Sequence, residues 1–358
     1  MEEVLYRLDP RLIIYPTRLD GRRSWIAETS SSEPPLLILD AIFLWAISAL
    51  PENFTITDAI KSWSTDESAV VRSAEIWDVL LSQKLVVRSD ETNSMMLRAK
   101  LWQQYGWDEA FAYQEATRSF PFVQMNEPTG FDIDTQRMKR YYDETNPPSP
   151  YLTTHSKKRL ALRRWYGDPE LESILASFDD FQRRGLDGIS VILDYCAGER
   201  ASFQTAFQGK LLLKSVPSGG ARHPTEVYLF TFENFLDAKP GVYHYNVEHH
   251  ALDLITSGDF RGRTKTATFD LFDKFDRPPF GLLVFTSRVS RAMWRYRDDR
   301  SARAPLVDIG HALMAYRTAA RAIGVNYYTY QKFRDSDISG LLQVSKIEQP
   351  PLFVGTLV

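Results

Sequence analysis

Apolar and polar positions follow different spacings along this chain, and the spacings divide it. Arg11–Pro16 and Ser24–Thr29 read as strands, with the turn residues Asp20–Gly21 between them. Leu36–Leu50 is almost unbroken apolar sequence closed by Pro51, and it predicts a buried helix. That run is shorter than the roughly 20 residues that cross a bilayer, and Asp40 lies inside it. Phe54–Ile56 reads as a short extended piece. Thr57 then predicts an N-cap for a helix through Trp63, because its hydroxyl accepts a free backbone N–H. A second helix, from about Glu67 to Ser82, gathers Val70, Ala74, Trp77, Val79 and Leu81 mainly on one side. Lys84–Arg88, the polar turn Ser89–Asn93 and Ser94–Arg98 read as a hairpin. Helices followed by a hairpin predict a winged-helix-like module over residues 1–100.

Residues 101–155 read as a connector. It is aromatic at first (Trp102, Tyr105, Trp107, Phe111, Tyr113), which predicts packing against a neighbour. It ends in Asn146–Pro150, where proline disfavours helix in the residue before it. The pattern changes again in residues 156–358. Pro169–Phe178, Gly188–Tyr195 and Asp308–Ile323 predict helices, the last capped by Asp308 and ended by Gly324. Glu226–Phe232, Gly241–Asn246, Gly281–Ser287 and Leu352–Leu357 predict strands. This mixture defines an α+β domain, and no internal repeat is visible.

Charge narrows the partners. The 358 residues carry a formal net charge of −3, so neither nucleic acid nor an anionic membrane is an expected partner. Winged-helix modules most often bind DNA, but Thr55–Gln83 holds two basic residues against five acidic ones. A peptide-binding or structural role fits better. The single cysteine, Cys196, excludes an intrachain disulfide and a cysteine-built zinc site, and reads as buried. The acidic start Met1–Glu3 is unlike an export signal, so the expected location is the cytoplasm. No glycine-rich dinucleotide fingerprint occurs.

Candidate chemistry concentrates in Lys214–Leu229, where a strand follows directly on Pro217-Ser218-Gly219-Gly220. Paired glycines permit positive φ and let the backbone approach a flat ligand closely. The same segment also reads as a tight turn with Arg222 and His223 as its polar rim. Pro217–Pro224, followed by Glu226 and Tyr228, resembles the signature of the SagB/McbC-type dehydrogenases, members of the nitroreductase-like flavoprotein superfamily. Three further segments match in order: Gly241–Asn246 with His250 and Leu252, Ala292–Tyr296, and Val307–Leu313. They resemble the family's strand–turn–strand, Trp-Lys-Tyr and Asp-x-Gly-His segments. The N-terminal module and aromatic connector resemble the longer, peptide-maturation members.

The resemblance implies a nitroreductase-like fold and FMN held at a homodimer interface. It implies oxidation of thiazoline or oxazoline rings in ribosomally made peptides, with a hydride passing to the flavin and a proton to a protein base. Arg159, Ala161, Arg163 and Trp165 fall on the superfamily's early phosphate-clamping pattern, with Arg164 a substitute if the register shifts by one. The same stretch also reads as the solvated basic start of a helix. Pro217, Ser218, Gly219, Gly220 and Arg222 would lie along the flavin ring, Arg222 facing its reduced, negatively charged edge. Tyr296 and Arg295 stand where the family has its Lys-Tyr pair, implicated in deprotonation. Arginine does not serve as a base at neutral pH, which leaves Tyr296. Six arginines between Arg288 and Arg303 surround it, as a source of positive charge, a seat for an acidic peptide, or a solvated loop. His311 is a further candidate catalytic residue or a structural histidine. His244, His249 and His250 fall in the family's strand–turn, so no metal site is expected.

The implied partners are a precursor peptide, its leader held by the N-terminal module, and a cyclodehydratase or other maturation enzyme. Two other readings stand beside this one. One is an NAD(P)H-dependent reductase of small aromatic or quinone substrates. The other is a non-catalytic scaffold in a peptide-modifying complex, suggested by Arg295 and Ala161.

Overall fold

In the computed structural model, the described residues are 4–9, 12–19, 22–28, 37–39, 41–64, 71–90, 99–118, 122–126, 128–156, 158–165, 167–168, 170, 181–234 and 238–358. The chain forms two compact units, Met1–Phe122 and Val123–Val358.

In the first unit, β1 (Tyr6–Leu8) precedes the hairpin of β2 (Ile13–Leu19) and β3 (Arg22–Glu28). β4 (Leu37–Leu39) adds to β3, with Ile38 opposite Ile26. The apolar run read as one helix therefore splits, and α1 is only Ala41–Ser48. Continuous apolar sequence suits a buried strand as well as a buried helix, and here the open edge of β3 takes its first residues. α2 (Ile56–Trp63) is capped by Thr55, not Thr57. Thr55 Oγ1 accepts from Asp58 N at 3.1 Å, and Asp58 Oδ2 accepts from Thr55 N at 3.0 Å. Asp58, three residues on, makes this reciprocal box possible only for Thr55. Thr55→Ala is expected to cost about 1 kcal/mol, read as a lowered denaturation midpoint of this unit.

α3 (Ser73–Ser82) packs Ile76, Trp77 and Leu80 against Trp63, Phe54 and Phe43. The Trp63 indole donates to Ala46 O at 3.0 Å. β5 (Val86–Arg88) pairs antiparallel with β1, Tyr6 opposite Arg88. The second hairpin strand read at Ser94–Arg98 lies outside the described residues. α4 (Asp108–Arg118) follows, in sequence read as connector, with Trp102 touching Trp107 and Phe111 edge-on or tilted.

The second unit opens with another helix inside that stretch, α5 (Pro128–Glu144). β6 (Arg159–Ala161) places Arg159 on a strand, and Arg163 and Arg164 follow it in irregular chain, not on a helix start. The helix read at Pro169–Phe178 lies almost wholly outside the described residues. α6 (Phe181–Ala197) contains Gly188–Tyr195 and buries Cys196 completely. β7 (Glu199–Gln204) and β8 (Lys210–Lys214) form a separate ribbon. The remaining strands are β9 (Thr225–Thr231), β10 (Gly241–Asn246), β11 (Ala251–Ser257), β12 (Gly281–Ser287), β13 (Thr329–Tyr330) and β14 (Pro351–Leu357). With β6 they build one antiparallel sheet in the order β13-β14-β12-β9-β10-β11-β6.

Both faces of the sheet are covered, which is why β9, β10 and β12 are buried along their whole length and carry few polar positions. One face carries Val227, Leu229, Tyr245, Leu283 and Phe285. It packs on α6 and on α9 (Arg303–Ala322), through Ile192, Ile309, Ala312 and Tyr316. The opposite face carries Tyr228, Phe230, Leu282 and Val284. It packs on α7 (Arg261–Ala267) and α10 (Asp335–Leu342). α8 (Val289–Arg295) leaves the end of β12.

Asp308 does not cap α9. That helix begins at Arg303, with Pro305 tolerated in its first turn, where its missing N–H is no loss. The Asp308 carboxylate points elsewhere, into the site below.

Candidate functional site

The centre of the site follows from one pairing. β9 and β12 are antiparallel neighbours, with Thr225 opposite Ser287. The Pro217–Pro224 turn that enters β9 and the helix α8 that leaves β12 therefore meet at the same end of the sheet. Arg288 N donates to Pro224 O at 2.7 Å and continues the ladder into them.

The turn is held in a costly shape. Gly220 has φ +57°, Ala221 +54° and His223 +45°. The left-handed region costs a side-chain-bearing residue about 1–2 kcal/mol, so the turn needs external anchors. Asp308 supplies one: Ser218 Oγ donates to Oδ2 at 2.6 Å and Gly219 N to Oδ1 at 3.2 Å. Ser218 Oγ also accepts from His223 N at 2.9 Å. Burial raises the Asp308 carboxyl above its ordinary value, against these donors. His223 is buried, and its Nε2 lies 3.0 Å from Leu212 O. Burial, helped by Lys214, Arg291 and Arg222 nearby, lowers the imidazole to about 3. It is therefore neutral at pH 7, with Nε2 protonated to donate to that carbonyl.

Tyr296 closes the turn from the α8 side. A Cβ at Gly220 would collide with the Tyr296 hydroxyl oxygen, so only glycine lets the phenol lie against the turn. A Cβ at Gly219 would meet only Ala304, at an ordinary 3.5 Å. Arg222 is folded back: Nε donates to Gly220 O at 3.2 Å and Nη2 to Gln208 Oε1 at 2.8 Å. Its guanidinium lies 5.9 Å from the Trp294 ring, and burial lowers it to about 10.

The arginine cluster is drawn into ion pairs. Arg295 Nη2 binds both oxygens of Asp134 on α5, at 2.8 and 2.9 Å, while lying 5.0 Å from the Tyr296 ring centre. Arg297 pairs with Glu144 and stacks 3.7 Å from the Tyr141 ring. Arg291 is 1% exposed and joins Glu226 at 2.5 Å. These three are committed to internal carboxylates, which weakens the reading of the cluster as a seat for an acidic peptide.

The other predicted residues stand apart from the turn. Arg159 pairs with buried Asp253, Nε to Oδ1 at 2.6 Å. Arg163 pairs with Asp168 at 2.8 Å and Glu170 at 3.0 Å. Arg164 donates to Glu199 O at 3.4 Å. Arg159 and Arg163 are 42% and 46% exposed in their side chains, so both guanidiniums remain open to solvent on one side. Pro217 opens the turn, and His311 lies one helical turn after Asp308, its Nδ1 buried with no hydrogen-bond partner among the described residues. His244 and His250 do not converge on a metal: His244 Nε2 meets Glu226 at 2.8 Å, and His250 lies between Ser190 and Tyr245. Among the described residues no group of three histidines, cysteines or carboxylates has a metal-binding arrangement. None of the described helices is long and apolar enough to cross a membrane.

Sequence reasoning missed Asp308, Gln208, Asp134 and the Arg291–Glu226 pair as parts of this arrangement. Asp308 and Glu226 were inside matched motifs; the other partners carry no local signal. A groove of about 1000 Å³ lies along another flank of α8, lined by Tyr228, Arg288, Val289, Met293, Ile347 and Gln349 among others.

Residues 189–356 match the nitroreductase family, and the second unit is a nitroreductase-like domain. The chain is 36% identical over 143 residues to the trifolitoxin-processing protein TfxB of Rhizobium leguminosarum bv. trifolii, covering 40% of this chain and 38% of that one. The ordered motifs that resemble the SagB/McbC type fall within or beside residues 189–356. A second protein of that organism, the trifolitoxin operon protein TfxC, is 25% identical over 300 residues, 78% of this chain and 79% of its own. Among solved structures, the Escherichia coli microcin synthetase McbBCD complex with truncated pro-MccB17 aligns with a TM-score of 0.39. That alignment has 22% identity and covers 47% of this chain and 61% of the other.

Proposed function

We propose that this chain is an FMN-dependent dehydrogenase that oxidises a ribosomally synthesised peptide during its maturation, of the azoline-to-azole type or a related oxidation. The observation that carries the reading is the Tyr296 hydroxyl set against Gly220, on a turn whose glycines leave room for a flat ring. The residues fit a flavin: Pro217, Ser218, Gly219 and Gly220 offer a side-chain-poor platform, and Arg222, held beside Gly220, would supply positive charge to it. Arg159, Arg163 and Arg164 are the candidates for the phosphate, reached at a homodimer interface. FMN supplies the acceptor for a hydride. The chain's own part is to orient the peptide carbon over the turn and to receive its proton at the Tyr296 oxygen, which must first give up its own proton to solvent. Arg295 is held by both oxygens of Asp134, so its part is to fix α5 and α8 together.

A precursor peptide is the proposed substrate, its leader on the N-terminal module and a cyclodehydratase or similar enzyme as partner, in the cytoplasm. The similarity to the trifolitoxin-processing protein TfxB supports a role in processing. The groove beside α8 supports a peptide substrate, because its volume stands at the upper limit of ordinary small-molecule sites.

The test is the visible absorbance of the purified protein, followed by release and chromatographic identification of the flavin. Stoichiometric FMN is expected. A colourless protein that takes up no added FMN would overturn the reading in favour of a scaffold. Rapid bleaching by NAD(P)H alone would favour a small-molecule reductase.

A further inference from the structure

Arg291 is the most connected side chain near the turn. It sits on α8 one helical turn before Arg295, and five residues before Tyr296. Nη1 binds Glu226 Oε1 at 2.5 Å and donates to His223 O at 2.9 Å, while Nε donates to Ser149 O at 3.0 Å. One guanidinium thus ties together the sheet, the end of the glycine turn and the strand-like segment after α5. Glu226 is 3% exposed, and its other oxygen is held by His244 Nε2 at 2.8 Å. A buried pair of this kind has no solvent to fall back on, so its geometry is enforced by the fork of the guanidinium. Two polar atoms at its edge, Arg291 Nη2 and His244 Nδ1, are buried with no hydrogen-bond partner among the described residues. Leaving these groups unpaired costs free energy that packing alone does not require.

We infer that Arg291, locked by Glu226, is a positioning residue that sets Tyr296 against Gly220. The reasoning is geometric. His223 and Gly220 lie on one strained turn, and Arg291 and Tyr296 lie on one helix and its cap. Fixing Arg291 to His223 O at one place fixes the phenol against the turn at another. Asp308 holds the turn from α9, and Arg291 holds it from α8. Aliphatic packing would tolerate a slip along α8; a guanidinium shared among a carboxylate and two carbonyls does not.

The inference deepens the proposed function but is tested without flavin or substrate. Glu226→Gln and Arg291→Lys are compared with the parent by two measurements. The first is the rate of Tyr296 nitration by tetranitromethane, located by mass spectrometry and normalised to Tyr328, which is 42% exposed in the parent. The second is hydrogen exchange at the Gly219–Gly220 amides. In variants that keep the parent's near-UV dichroism, Tyr296 nitration is expected to change several-fold and exchange at the turn to rise. A folded variant with an unchanged nitration ratio and unchanged exchange would overturn the inference and leave Arg291 as ordinary core structure. If Glu226→Gln does not fold, Arg291→Lys carries the same readouts, because it keeps the cation and loses only the fork. A protein that shows these changes yet binds no FMN would overturn the proposed function and leave the positioning intact.

Discussion

The Tyr296→Phe protein is expected to bind flavin in the parent's amount and to lose turnover by about 10²–10⁴-fold, the usual contribution of a positioned proton-transfer group. The substitution removes one oxygen and keeps the ring. The phenyl group retains its place beside Arg295, whose guanidinium lies 5.0 Å from the ring centre. The glycine turn is held by Asp308 and Arg291, not by the phenol, so the flavin platform survives. What disappears is the one atom whose place a Cβ at Gly220 would invade. Single-turnover kinetics with flavin quantified in the same sample separates the two effects. Normal turnover would remove Tyr296 from the mechanism. Lost flavin would make its role structural.

Acid should destabilise the second unit in two distinguishable windows. His223 has an ordinary value of 6.5, and in the folded chain burial and neighbouring cations lower it to about 3. Between these values the unfolded chain binds a proton that the folded chain refuses, so stability rises with pH there and falls as pH drops from 6.5 towards 3. From pH 7 to pH 4 the loss from this group is about 3 kcal/mol. Glu226 responds lower down. Burial pushes its carboxyl up, but Arg291, His244 and Lys214 outweigh burial and hold it at about 2, against an ordinary 4.5. Its stabilisation is complete above 4.5 and disappears as pH falls through about 2. Urea unfolding at half-unit pH intervals should show the first slope beginning near pH 6.5. His223→Asn, which tolerates positive φ, should flatten that first slope and leave the second. An unchanged slope in that variant would assign the acid sensitivity to other groups.

Much of the second unit was legible because its central strands are buried on both faces. Glu226–Phe232, Gly241–Asn246 and Gly281–Ser287 are strands close to the residues read, since they are rich in β-branched, aromatic and other apolar residues and no position along them faces solvent. The same property misled at Leu36–Leu50, where continuous apolarity does not distinguish β4 from α1. Thr57 was a sound cap by residue type, and Thr55 wins only because Asp58 completes a reciprocal pair. α4 and α5 were hidden by polar, aromatic-rich sequence with weak periodicity; their support comes from packing, as when Met138 and Tyr141 meet Trp294.

At the site, the turn itself was visible through its two glycines. Its anchors were not. Asp308 read as a cap because aspartate before an apolar helix usually is one. Ion-pair partners such as Arg295–Asp134 and Arg159–Asp253 join residues 161 and 94 positions apart. Nothing local in the sequence marks such pairs.

Cys196 is completely buried. Burial pushes its thiol far above the ordinary range, so it is unreactive at neutral pH. The chain has no other cysteine. A cysteine introduced at Met293, which is 61% exposed on α8, would then be the single reactive thiol in the native protein. A fluorophore or spin label attached there would report on the groove beside the turn without a background signal to subtract. The chain thus already lacks a reactive thiol, the starting point that such labelling usually has to be engineered to obtain.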